Sequence, residues 1–286
     1  MAGLANVGAY AEAVASGAIA SATFRKTYTP STVAGTWLDL SMVAGIPAPQ
    51  YYAASPLVAA SLEARRGVFH GDDVSPLEKR VHEIAMLSTT TGTTGVLFLL
   101  DYVLFYPFVD LDDTAEQTMD NTETLSRYDD DDEGLQVMAV VVAPTVGGGT
   151  FTFDYINQDG VQKTSPVQTC SLVATVNGQI LTSVPGGAAG FGPFLQLADG
   201  DRGVRSIVSV TMAVGAGGLA SLVLVKPLAT IALREALVPA EVQLFQQRGG
   251  VLPRVFDGAY LNFLLNTTGT ATSSNILLGR VNCMWG

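Results

Sequence analysis

Apolar and polar positions alternate most cleanly along Thr150-Phe151-Thr152-Phe153-Asp154-Tyr155-Ile156, with aromatics on one face and Thr or Asp on the other. Period-two alternation of this kind predicts a half-buried β-strand. Asn157-Gln158-Asp159-Gly160 follows as a turn, its Asp-Gly pair a strong hairpin signal, with Val161–Thr164 as the return strand. Thr36–Met42 alternates in the same way, and Leu135–Ala143, Tyr260–Asn266 and Asn275–Val281 read as further strands. Ser171–Val184 holds two short strands around Asn177-Gly178. Gly203–Val214 and Leu219–Val225 read as a third hairpin over the Gly215–Gly218 turn. Val96–Tyr106 is apolar on both faces, as expected for a fully covered strand.

Helical signals are few. The Ala-rich stretch Leu4–Ser16 predicts a short N-terminal helix, and Ala240–Gln247 a helix of about two turns. Lys79–Ser88 carries both patterns. Ser75-Pro76-Leu77-Glu78 matches a capping box, but the Thr-rich turn and apolar run that follow favour a strand, which is the reading taken. Ser21–Pro30 reads as extended chain with β-branched and aromatic anchors, and Pro47, Pro49 and Pro56 make Gly45–Pro56 irregular. Short strands, regular turns and few helices predict an all-β protein, a jelly-roll-like β-sandwich over residues 61–286 with an extended N-terminal arm over 1–60.

Composition adds the surroundings to that fold. Only 14% of the 286 residues are charged and 48% are hydrophobic, against about 25% charged in an average soluble domain. The longest apolar run, Val96–Phe108, is interrupted by Asp101 and falls short of the roughly 20 residues of a spanning helix. The N-terminus has no basic stretch ahead of its Ala-rich segment, so no secretory signal is expected. Apolar surface that neither disorder nor a membrane explains is expected to be covered by other chains, because lasting interfaces resemble a core cut in half.

The net charge of −11 is concentrated. Between Asp110 and Glu133 stand eleven acids and one base, Arg127, leaving 15 acids and 14 bases elsewhere. A near-neutral body of this kind lacks the basic footprint of a nucleic-acid binder. Asp129-Asp130-Asp131-Asp132-Glu133-Gly134 lacks the alternating spacing of a calcium loop and reads as a solvated segment.

Candidate chemistry is sparse. Phe69-His70-Gly71-Asp72-Asp73 places a histidine beside two acids, too few ligands for zinc, and His82 lies among apolar neighbours. Cys170 and Cys283 stand alone and fit a reducing compartment. No nucleophile elbow, P-loop or dinucleotide fingerprint occurs. Ala143–Gly149 lacks the Lys-Ser/Thr of a phosphate loop, and Asp199–Gly203 reads as a tight turn. No catalytic residue, metal ligand or cofactor is assigned.

Four stretches carry a resemblance: Leu100–Asp110, Gly200–Ile207, Leu222–Ala229 and Asp257–Phe263. They resemble a family of uncharacterised structural proteins encoded among the virion genes of tailed bacteriophages. The resemblance implies a particle protein, with capsid decoration or cement as its role. Its expected partners are the major capsid protein and copies of itself, as a homo-oligomer such as a trimer, on the capsid surface after assembly in the host cytoplasm; neither nucleic acid nor membrane is an expected partner. The alternatives are a tail or baseplate component recognising host-surface carbohydrate, and a glycan hydrolase. Aromatic side chains dominate interface energetics, so Phe24, Tyr28, Trp37, Tyr51 and Tyr52 in the arm are candidate partner anchors, with Arg25 and Lys26 facing an acidic surface. The competing reading is that these aromatics cover the protein's own sandwich.

Overall fold

The alternating stretch at Thr150 is a strand in the computed structural model, and every second side chain, Phe151, Phe153 and Tyr155, is buried. The structure describes residues 6–28, 34–89, 94–129, 134–171, 176–183, 192–247, 252–268 and 275–286. Over these the chain runs α1 (Val7–Ser16), β1 (Ile19–Tyr28), β2 (Trp37–Asp39), β3 (Gly45–Ile46), β4 (Lys79–Ser88), β5 (Gly95–Asp110), β6 (Gln117–Thr118), β7 (Gln136–Ala143) and β8 (Thr150–Asn157). It continues through β9 (Gln162–Thr164), β10 (Gln168–Thr169), β11 (Val204–Val214), β12 (Leu219–Leu233), β13 (Ala240–Gln243), α2 (Leu244–Gln247), β14 (Arg254–Val255), β15 (Tyr260–Thr267) and β16 (Asn275–Trp285).

Among the described residues every pairing between these strands is antiparallel, and they form three sheets. The first has the order β13-β4-β16-β1-β3, with β14 also on β4; the second is β2-β15-β5-β12-β7; the third is β10-β8-β11-β6, with β9 on β8. The result is an all-β sandwich built around the second sheet. Its strands β5 and β12 are long enough to serve two cores. Leu97, Leu99, Ile231 and Leu233 pack with Phe24, Ile84 and Val281 of the first sheet. Leu104, Tyr106, Leu222 and Leu224 pack with Phe151, Phe153 and Ile207 of the third. On the opposite face Leu100, Tyr102, Phe105 and Val223 are covered by Met42, Tyr52 and Ile180. Burial on both faces explains why β5 reads as a nearly unbroken apolar run. Its register against β12 shifts between Leu224 and Val225, which leaves Val103 as the extra residue of a β-bulge.

Three expectations are corrected. Residues 1–60 form no separate arm, because β1 pairs with β16 along its whole length, from Ile19↔Met284 to Tyr28↔Asn275, inside the first sheet. Gly203–Val214 and Leu219–Val225 form no hairpin: β11 pairs with β8 and β6, whereas β12 pairs with β5 and β7, so the intervening glycines carry the chain from one sheet to another. Gly218 turns there with φ +78°, and a Cβ on it would stand 2.3 Å from the Pro144 carbonyl oxygen. Ala240–Gln243 is a strand on β4, and only Leu244–Gln247 is helical. Around Asn177-Gly178, Gln179 and Ile180 make single bridges to Leu38 and Val140; residues 172–175 and 184 of that expected pair, and residues 4 and 5 of the expected helix, lie outside the described residues.

Candidate functional site

The candidate partner anchors divide by burial. On β1 the side chains alternate, so Phe24, Lys26 and Tyr28 point into the first core while Arg25 stays exposed. Phe24 meets Phe263 at 4.7 Å between ring centroids. Tyr52 is buried against Phe105, and Trp37 packs partly buried on Phe98. Phe24, Lys26, Tyr28 and Tyr52 therefore serve the protein's own cores and reach no partner. Tyr51, 60% exposed, and Arg25 remain available.

Lys26 is fully buried, which no apolar pattern would predict. Its ammonium donates to the carbonyls of Val43 at 2.9 Å and Pro47 at 2.7 Å. Burial lowers its pKa to about 8, with the charge of Asp39 working the other way. Asp39, also fully buried, accepts from the Tyr52 hydroxyl at 2.5 Å, the Ser41 hydroxyl at 2.6 Å, the Tyr102 hydroxyl at 2.7 Å and the Ser41 N–H at 2.9 Å. Burial, then the Asp39 charge, raises both tyrosines well above their ordinary range. The cluster clamps the crossing segment of residues 39–52 onto β5.

A second polar knot lies between the two cores. Alternation along β5 puts Asp101 in line with Leu99 of the first core and Val103 of the second. Arg127 meets it with a two-pronged pair, Nε to Oδ2 at 2.7 Å and Nη2 to Oδ1 at 2.6 Å, and also donates to the Tyr102 carbonyl at 2.8 Å. The Tyr128 hydroxyl and the Tyr260 N–H complete the shell of Asp101 at 3.0 and 3.2 Å. Burial raises the Asp101 pKa, and Arg127 opposes it. The one base of the acidic segment is thus the staple that ties it to the central sheet. A lone cation among eleven acids was the available signal for it; nothing in the sequence pointed to Asp101 as its partner.

The loop around His70 forms the concave site closest in composition to an active centre. A cavity of about 440 Å³ is lined by Arg65, Phe69, His70, Asp72, Asp73 and Asp257, among others. Gly67 lets this loop lie flush on β15, where a Cβ would stand 2.8 Å from the backbone of Leu261. The buried Lys79 ammonium supplies hydrogen bonds to His70 Nδ1 at 3.1 Å, the Gly71 carbonyl at 3.3 Å and Asp257 Oδ1 at 3.1 Å. His70 Nε2 then donates to the Ala259 carbonyl at 2.9 Å. Burial, and next the Lys79 charge, lowers the His70 pKa. Burial pushes the Asp257 carboxyl up, but hydrogen bonds from Lys79 and Val74 outweigh this and hold it below the usual range. Both imidazole nitrogens and all three ammonium protons are engaged, so neither side chain offers a lone pair or proton to a substrate. A general base needs a free acceptor within hydrogen-bond reach of the proton it takes. Lys79 and Asp257 complete a knot of which the sequence displayed only His70 and its neighbours.

The two cysteines are free, Cys170 in the second core and Cys283 in the first, and burial pushes both thiols up to about 12. Thiols so shifted are poor nucleophiles at neutral pH. Among the described residues no group of three or more His, Cys, Asp or Glu is placed to hold a metal ion, and no helix is long and apolar enough to cross a membrane.

No protein-family model matches the chain, and no curated protein matches it. Among solved structures, the VP2 subviral particle of infectious bursal disease virus aligns over 93% of this chain and 82% of its own, at 10% identity and a TM-score of 0.15. T=1 particles derived from that virus align over 93% of this chain and 78% of theirs, at 10% identity and a TM-score of 0.14. Likeness at that level carries no argument about what this chain does.

Proposed function

We propose that the protein is a structural component of a tailed-phage virion, acting as a capsid decoration or cement protein. The observation that carries this reading is how its polar and apolar groups are distributed. The polar clusters at Asp39, Asp101 and His70 are spent on holding the fold together, while large apolar side chains are left outside: Tyr51 is 60% exposed, Ile46 55% and Phe69 54%. Ile46 and Phe69 line one groove. Exposed apolar groups gathered in one place mark interaction surfaces. The charge-poor composition and the sequence resemblance to virion proteins support the same role, with the major capsid protein as principal partner.

The test is the copy number and position of the chain in purified particles, measured by quantitative mass spectrometry and particle reconstruction. Stoichiometric copies on the head are expected. A few copies confined to the tail would overturn the cement role in favour of the carbohydrate-binding tail reading. Absence from particles would overturn both.

A further inference from the structure

The polar knot beneath the His70 loop leaves the rim of its cavity unused. Lys79 ties the Gly71 carbonyl and Asp257 to β4, and His70 ties the loop to the Ala259 carbonyl at the start of β15. The floor of the cavity is therefore fixed before any ligand arrives, which lowers the cost of ordering a bound state. Its volume of about 440 Å³ lies in the roughly 300–1,000 Å³ range of small-molecule sites. On the rim, among the described residues, Arg65, Asp72 and Asp73 are exposed and make no hydrogen bond or ion pair. Phe69 is 54% exposed and packs on no other ring.

Phe69 lines both this cavity and a groove of about 640 Å³ beside it. Alternation along β1 exposes the side chains of Ser21 and Thr23, and with Gln50 they add hydroxyl and amide groups to the groove. An aromatic ring thus stands between two polar surfaces.

The signs of the charges narrow the ligand. Lys79 and Asp257 pair with each other, which leaves one cation, Arg65, against two anions, Asp72 and Asp73. An anionic ligand would meet two carboxylates, and a cationic one would be opposed by Arg65. Hydroxyl groups both donate and accept. They use free carboxylates and a free guanidinium at once, through hydrogen bonds that the charges strengthen. The C–H groups on the apolar face of a sugar ring suit the negative face of an aromatic ring. We propose that this rim binds a neutral oligosaccharide, with one sugar stacked on Phe69 and hydrogen-bonded by Asp72, Asp73 and Arg65, and the next running into the groove past Thr23 and Gln50. The site adds a ligand to the proposed virion role and does not depend on which part of a particle carries the chain.

Binding to the full chain is measured by saturation-transfer NMR and calorimetric titration with maltohexaose, cellohexaose, mannohexaose and chitohexaose, with hexagalacturonate as the charged control. At least one neutral hexasaccharide is expected to bind with a Kd on the order of 1 mM or tighter, and hexagalacturonate about tenfold more weakly or not at all. Phe69→Leu keeps apolar bulk but removes the ring, and is expected to weaken binding about tenfold, whereas Phe69→Tyr stays within about twofold of wild type. Asp72→Ala/Asp73→Ala is expected to weaken binding about tenfold by itself, and carries the test if Phe69→Leu does not fold. Val167→Ala, at an exposed apolar position on neither cavity nor groove, is expected to bind like wild type. No binding of any neutral hexasaccharide, a preference for hexagalacturonate, or Phe69 and Asp72/Asp73 variants that bind like wild type overturns the proposal. A chain that binds no glycan yet sits in stoichiometric copies on the head leaves the virion role standing; a chain that binds glycan but is absent from particles leaves this site standing.

Discussion

Replacing Arg127 with Met isolates the contribution of the staple between the two cores. The change removes both prongs of the pair to Asp101 and the bond to the Tyr102 carbonyl, while keeping most of the apolar volume. Asp101 then stays buried with only the Tyr128 hydroxyl and the Tyr260 N–H. Breaking a buried pair from one side costs about 3–5 kcal/mol, a fifth or more of the roughly 5–15 kcal/mol that stabilises a typical protein. The sign of the pH dependence follows from Asp101. Burial already raises its pKa, and without Arg127 the chief opposing influence is gone. The folded state then binds a proton that the unfolded chain, with its ordinary carboxyl, does not. Stability of the variant should therefore rise as pH falls from the folded-state pKa toward about 3.9, the unfolded value. Urea unfolding at several pH values measures this, and proteolysis at residues 112–129 reports release of the acidic segment. Arg127→Met/Asp101→Leu is expected to recover most of the loss. A deficit under about 1 kcal/mol at pH 7, or one independent of pH, would refute the account of an uncompensated buried charge.

Tyr102→Phe should cost about 1.5–3 kcal/mol, the range for a hydrogen bond to a charged group, read by denaturant midpoint, because it strips one hydroxyl from the buried Asp39. His70 and His82 both have lowered pKa values, so the unfolded chain takes up their protons first. Stability present above about pH 6.5 should fall as pH drops below it, and His82→Gln should flatten that slope in thermal melts. Gly218→Ala forces a Cβ against Pro144 at positive φ. It should lower stability by about 1–3 kcal/mol, whereas Gly258→Ala, with nothing near its Cβ, should change it far less.

Local pattern revealed the strands but not their partners. The alternation of β8 and its Asp159-Gly160 turn to β9 were legible because each depends on residues close in sequence. Gly215–Gly218 carried an equally strong turn signal, yet the strands on either side enter different sheets, a choice made by packing against β8 and β5. β1 read as an extended arm because its ten residues carry no mark of a partner strand at the far end of the described chain. The site residues show the same limit. Phe24, Tyr28 and Tyr52 are candidate partner anchors in sequence but fill the protein's own cores, because aromatics that bind a partner and aromatics that fill a core look alike in sequence. Lys26 misled because burial of a lysine depends on the carbonyls of Val43 and Pro47, which only the folded chain assembles.

The pairing of β1 with β16 sets an order of events during synthesis. Its first ladder partners, Ile19 and Met284, lie at opposite ends of the described chain, so the first sheet closes only after nearly every other strand has been made. Such long-range closure slows folding. Until then the edge of β1 that β16 will cover is unpaired, and β-edges exposed during folding invite association with other chains. Since β5 and β12 run through both cores, neither half has a complete set of strands to fold early by itself. A ribosome-bound chain stopped before residue 275 should thus be aggregation-prone, while the finished chain should unfold as one cooperative unit.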